Sequence, residues 1–159
     1  MATKENSELQ ITRLIAAPRE LVWQAWADPL HLKEWWCPKP WTTEVLAFDL
    51  RAGGAFHTLM RGPDGGVSDN PGCFLEVVDA RRLVFTSALT ADYRPADKPW
   101  MPMTAIITMS DEAGGTRYTA RVVHDTEETK QRHLQLGFYE GWGICIDQLA
   151  AFALALALH

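Results

Sequence analysis

Apolar and polar residues alternate through positions 9–16, with Leu9, Ile11 and Ile15 set against Gln10 and Thr12, the period-two pattern of a strand with one buried face. The alternation stops at Pro18. Proline suits the first position of a helix, Glu20 puts negative charge in the first turn, and Leu21, Val22, Ala25 and Trp26 recur at helical spacing. Asp28-Pro29 repeats the signal as an N-cap and a first-turn proline, so residues 30–36 are predicted as a second short helix, ended by Pro38 and Pro40. From Thr42 onward the period returns to two. Strands are predicted at 44–50, 55–61, 72–78 and 83–89, with turns at Gly53-Gly54 and Pro63-Asp64-Gly65-Gly66. Two more follow at 101–110 and 116–124, joined by Asp111-Glu112-Ala113-Gly114-Gly115. Tight connections make neighbouring strands antiparallel, so the pattern is a meander of seven strands.

The last segment, 126–158, has helical periodicity. Asp125 is placed to cap it, with Glu128 in the capping-box position. Leu134, Phe138, Trp142, Cys145, Leu149 and Phe152 form one apolar stripe, and His133, Glu140 and Asp147 fall on the opposite side. Gly137, Gly141 and Gly143 each weaken a helix interior by about 0.5–1 kcal/mol, which predicts a break near Gly137. An antiparallel sheet tolerates one wet face, so the economical packing is α+β: a curved seven-stranded sheet wraps the long C-terminal helix, with two short helices between its first two strands. One domain is expected over residues 1–159, its core at about 9–158.

Composition narrows the class without changing this picture. Apolar residues make up 47% and charged residues 22% of the chain, ordinary values for a globular protein. The net charge of −5 comes without a basic run, which argues against nucleic acid as a partner. Residues 1–10 are polar and lack a signal-peptide core, and 149–158 is too short to cross about 30 Å of hydrocarbon, so a cytoplasmic protein without a membrane span is expected. Cys37, Cys73 and Cys145 are odd in number and far apart, which suits neither a disulfide framework nor a zinc knuckle.

Several motifs carry a family resemblance. Ala17-Pro18-Arg19-Glu20-Leu21-Val22-Trp23, Asp28-Pro29, Trp35-Trp36-Cys37-Pro38, Asp49-Leu50-Arg51-Ala52-Gly53-Gly54, Arg61-Gly62-Pro63-Asp64-Gly65 and Gly137-Phe138-Tyr139-Glu140-Gly141-Trp142 together resemble the heat-shock-chaperone-ATPase-activator-homology branch of the START-like (SRPBCC, polyketide-cyclase-like) superfamily. Cys37 departs from the glycine common at that position. The resemblance implies a helix-grip fold with a cavity between sheet and long helix. Three functions follow as expectations: a binding protein for a small apolar, aromatic or amphipathic molecule; a cyclase/aromatase-like or hydrolytic enzyme; and a chaperone-regulating interaction module.

The candidate ligand wall is Phe138, Trp142, Cys145 and Leu149 on the helix with Trp36, Phe56, Met103, Tyr118, Val122 and His124 around the sheet. Met101, Met103, Ala105, Ile107 and Met109 share one strand face, where methionine adapts to variable shapes. His124, in phase with Tyr118, Ala120 and Val122, is the first acid–base candidate; His57 is the second, although Phe56 and Thr58 compete for the inward face. Glu76 is the third, as a buried carboxylate of raised pKa. No cofactor or metal is expected, because His57, His124, His133, Asp125 and Glu127 show no zinc-enzyme spacing, and no nucleophile elbow is present. Trp36 and Trp41 suit a cavity mouth or the face of a homodimer.

Overall fold

The chain opens with β1 (Glu8–Ile15), α1 (Arg19–Ala27) and α2 (Pro29–Leu32), continues through β2 (Thr42–Phe48), β3 (Phe56–Arg61), β4 (Val67–Asn70), β5 (Cys73–Val78), β6 (Arg82–Thr86), β7 (Leu89–Thr90), β8 (Arg94–Pro95), β9 (Met103–Glu112) and β10 (Gly115–His124), and closes with α3 (Glu127–Gln135) and α4 (Phe138–Leu156). This computed structural model describes residues 7–158; the start of the polar N-terminal stretch, 1–6, and residue 159 lie outside them.

A five-stranded antiparallel sheet runs in the order β1-β10-β9-β6-β5, and β2-β3-β4 form a second antiparallel sheet. A bridge between Ala55 and Cys73, with Phe56 N–H donating to Gly72 O at 3.0 Å, links the two. The six expected strands after the helices therefore follow one another in space as a meander, and the first strand, β1, pairs with the last, β10, at the far end from β2. Ten strands in three sheets are present among the described residues, not seven. The additional ones are β4, whose Val-Ser-Asp-Asn has no apolar alternation and owes its extension to pairing with β3, and the two-residue ladder of β7 and β8.

Side-chain alternation on β9 and β10 holds throughout. Ala105, Ile107 and Met109 on β9 and Tyr118, Ala120, Val122 and His124 on β10 are buried on one face, against which the C-terminal helix packs in a helix-grip arrangement. The buried line of α4 is Phe138, Ile146, Leu149 and Ala153, so Trp142, Cys145 and Phe152 of the expected stripe lie on its half-buried flank.

Local signals set most helix ends, with two corrections. Asp28 Oδ1 accepts from Leu30 N–H at 2.9 Å, as an N-cap should, but α2 ends at Leu32 and the Trp35-Trp36 pair sits in turns. The cap of α3 is Thr126, whose Oγ1 accepts from Thr129 N–H at 3.1 Å; Asp125 still belongs to the strand exit, its N–H bonded to Pro102 O. Gly137, at φ 90°, separates α3 from α4, and its N–H closes on Leu134 O at 3.0 Å. A left-handed residue there ends one helix without the Cβ penalty.

The paired glycines of the Arg51-Ala52-Gly53-Gly54 motif have different reasons. Gly53 is left-handed, at φ 85°, whereas a Cβ on Gly54 would stand 1.8 Å from Asp49 O, an overlap with backbone that no rotamer relieves. Gly54→Ala is therefore expected to destabilise the protein by about 2–4 kcal/mol and Gly53→Ala by about 1–2 kcal/mol. Urea denaturation midpoints at unchanged m-value measure the difference; equal effects would contradict it.

Candidate functional site

Five aromatic rings meet where α1 faces the sheet. Trp26, 1% exposed, has its ring centroid 5.3 Å from Trp35, 5.0 Å from Trp36, 6.0 Å from Phe56 and 5.9 Å from Phe85. Its Nε1–H donates to the Tyr118 hydroxyl at 2.8 Å, satisfying a buried donor that would otherwise cost about 1–3 kcal/mol. Trp35 Nε1–H donates to Ala25 O at 2.9 Å. These two bonds fix both indoles to their surroundings, so the rings pack as a wall.

Beyond that wall lies a cavity of about 740 Å³, within the usual range of ligand sites, roughly 300–1,000 Å³. Trp36, Phe56, Phe85 and Tyr118 line one side, and Phe138, Trp142, Cys145 and Ile146 of α4 line the other. Gln148 ties the two together: its Nε2 donates to Trp35 O at 3.2 Å and Cys37 O at 2.8 Å, while its Oε1 accepts from Lys39 N–H at 3.1 Å. The rim is held as well. Trp100 Nε1–H donates to Asn70 Oδ1 at 3.1 Å, and Arg132 Nη2 donates to Trp100 O at 2.6 Å.

Of the candidate wall residues, Trp36, Phe56, Met103, Tyr118, Phe138, Trp142 and Cys145 line the cavity. Val122, His124 and Leu149 are buried in the core without lining it. The face of β3 is decided by Phe56, stacked on Phe74 at 4.7 Å; Thr58 shares that face and His57 points outward, its Nε2 at 2.5 Å from Asp69 Oδ1. Glu76 also faces solvent, accepting from Arg82 Nε–H at 3.0 Å with about half its side chain exposed. Neither His57 nor Glu76 lines the cavity. Trp41 reaches it from the loop after α2. Phe85, Ile146, Trp100 and Gln148 were not singled out from the sequence, since each reads there as ordinary core or surface.

His133, expected on the polar side of the helix, lines the cavity instead, because the turn at Gly137 folds α3 back so that its ring packs on Phe138 at 5.0 Å and near Trp142 at 6.4 Å. Its Nδ1 lies 2.8 Å from His124 Nε2, and His124 Nδ1 lies 2.8 Å from Ser7 O. A carbonyl only accepts, so His124 carries its proton on Nδ1 and accepts at Nε2; His133 then donates from Nδ1 and keeps a lone pair on Nε2. Burial pushes His133 down to about 4, with His124 and Arg132 adding to the shift, and burial lowers His124 too, opposed by the Ser7 carbonyl and Asp125.

The Cys37 and Cys145 thiols are held as neutral S–H groups. Burial raises Cys145 to about 12, and it raises Cys37 also, against the Thr43 hydroxyl that donates to its sulfur at 2.9 Å. Among the described residues no group of three His, Cys, Asp or Glu side chains could hold a metal ion, and no helix is long and apolar enough to cross a membrane. Chemically, the site can enclose an apolar body and offer it a few directional hydrogen bonds.

Residues 16–153 match the family described as Activator of Hsp90 ATPase homolog 1-like protein. Among solved structures, the chain is similar to a protein from Nitrosomonas europaea, at 41% identity and a TM-score of 0.92 over 99% of this chain and 100% of that one. It is also similar to a protein from Mycobacterium smegmatis, at 30% identity and a TM-score of 0.80, covering 100% and 97%. The AHSA1-like protein from Aeromonas hydrophila follows at 26% identity and a TM-score of 0.71, covering 96% and 95%. No curated protein matches the sequence.

Both histidines bind protons less readily folded than unfolded. Between the ordinary histidine value of 6.5 and about 4 the unfolded chain therefore holds more protons, and stability falls as pH falls. A loss of about 1–2 kcal/mol across that window is expected, less than full burial would produce because His133 keeps some contact with solvent. His133→Gln, which can still donate to His124, should flatten the slope in denaturation series at pH 4.5, 5.5 and 6.5; an unchanged slope would contradict the assignment.

Proposed function

The chain belongs to the Activator of Hsp90 ATPase homolog 1-like family, and from that premise we propose that it is a binding protein holding a small apolar or amphipathic molecule between its sheet and α4. The observation that carries this reading is the 740 Å³ cavity with aromatic and methionine walls. Interiors normally pack to a density of about 0.74, so a space of that size lined by five indoles is a departure that a bound molecule would explain. Its charged lining residues Asp69, Asp97 and Lys98 are exposed, which leaves the depth of the cavity to apolar surface and neutral polar groups. Burying a drug-sized apolar body against such walls supplies the main driving force, at about 25 cal/mol per Å² removed from water. Trp36 and Trp142 would report occupancy through their own fluorescence.

Gly141 supplies the test. It lies on the cavity wall, and a Cβ built there meets nothing within 4 Å, so Gly141→Phe puts a ring into the space without a backbone clash. The same change removes a helix glycine, which favours α4 by about 0.5–1 kcal/mol. The native chain should bind the neutral fluorophore N-phenyl-1-naphthylamine at micromolar concentration, and Gly141→Phe should weaken it at least about tenfold at undiminished thermal stability. Absence of binding by the native chain, or equal binding by the two, would overturn the reading.

A further inference from the structure

One wall group has a hydrogen-bonding capacity that the protein itself leaves open. Tyr118, 2% exposed, stands on the inner face of β10 between Thr116 and Ala120. Neither neighbour lines the cavity, whereas Tyr118 does. Side chains stand roughly perpendicular to a sheet, so the part of Tyr118 that reaches the cavity is its far end, the hydroxyl. The oxygen accepts from Trp26 Nε1 at 2.8 Å. Indole N–H only donates, so the phenolic proton points elsewhere, and it meets no acceptor among the described residues. Two other wall hydroxyls are committed: Ser87 Oγ donates to Met101 O at 2.6 Å, and Thr86 Oγ1 to Met103 O at 2.9 Å. Thr58, on β3, also lines the cavity with its hydroxyl, but it lacks a second bonded group that would orient its proton as the Trp26 N–H orients that of Tyr118.

We propose that the Tyr118 hydroxyl is the specificity-determining donor of this cavity, and that the molecule held there is neutral and presents an accepting oxygen to it, as a ketone, lactone or ester carbonyl does. The inference rests on the reading of the cavity as a binding site. Burial keeps the phenol protonated far above physiological pH, so the proton is always available. The Trp26 N–H bonded to the same oxygen orients the hydroxyl and polarises it into a better donor. A carboxylate would be a poor occupant: it would lose its hydration in exchange for one neutral donor, since the cation of the lining, Lys98, is exposed at the rim. A plain hydrocarbon would leave the phenolic proton unmatched, which selects against it.

The test uses the full chain with 9-fluorenone and fluorene, which share a shape and differ in a carbonyl against a methylene group. Calorimetric titration should show fluorenone bound about fivefold or more tightly than fluorene, the effect of one net hydrogen bond. The carbonyl stretch of bound fluorenone should lie below its value in hexane. Y118F should bring the affinity ratio to about one and return the stretch to the hexane value, and Y139F, the same change at an exposed tyrosine outside the cavity, should leave both as in the native chain. Equal affinities in the native chain, a hexane-like stretch, or a preference kept in Y118F would each overturn the assignment while leaving the container reading intact. If neither compound binds, both fall together. Should Y118F fail to fold, the stretch of the ketone bound to the native chain decides alone.

Discussion

The hydrogen bond from Trp26 to Tyr118 is the constraint on which the interior is built. It joins a helix that follows the first strand to the last strand, 92 residues later in the chain. An indole inside a protein needs an acceptor for its N–H, and a buried phenol needs a partner for its oxygen. Meeting both at once fixes the height of α1 above the sheet. Trp35, Trp36, Phe56 and Phe85 then pack around Trp26 at centroid distances of 5.0 to 6.0 Å, in edge-on and tilted contacts favoured by the ring quadrupole. Part of the space between sheet and helices is filled in this way by stiff rings.

The cavity lies beyond them, and its far boundary depends on different physics. Gln148 holds the Trp35–Cys37 turn against α4 by bonding both its carbonyls and the Lys39 N–H. The rim on the opposite side hangs on Trp100, bonded to β4 through Asn70 and to α3 through Arg132. Wall rigidity thus comes from polar anchors behind the apolar surface. The histidine pair follows the same plan: His124 is locked by a backbone carbonyl and passes that orientation to His133, which reaches the cavity beside Phe138.

Much of this was legible in the chain. The phase of Tyr118, Ala120, Val122 and His124, the Asp28-Pro29 cap, the break at Gly137 and the order of the six strands joined by short turns all rest on local preferences that the tertiary structure satisfies, whereas the pairing of β1 with β10 is long-range. Where local rules were silent, the reading missed. β4 is polar on both faces, so only its partner β3 makes it a strand. Thr126 displaced Asp125 as the cap because the strand exit still uses the Asp125 N–H. His133 changed sides because its face follows from one apolar stripe drawn across the Gly137 break, and the left-handed turn there resets the helical phase.

The amino-acid sequence by itself determined the class of fold and the apolar face of each long element, because alternation, helical spacing, caps and turn glycines act over a few neighbours. It determined that tryptophan and methionine would furnish the interior. Only the tertiary structure decided which of those residues fill space and which surround it. Leu149 and Val122 are packed solid while Trp142 and Met103 border the cavity, a distinction without periodic signature, since it depends on how far apart α4 and the sheet are held. It also decided that His57 and Glu76 face solvent and that His124 bonds His133. Such pairings join groups whose meeting is set by packing, through distances that no local pattern encodes.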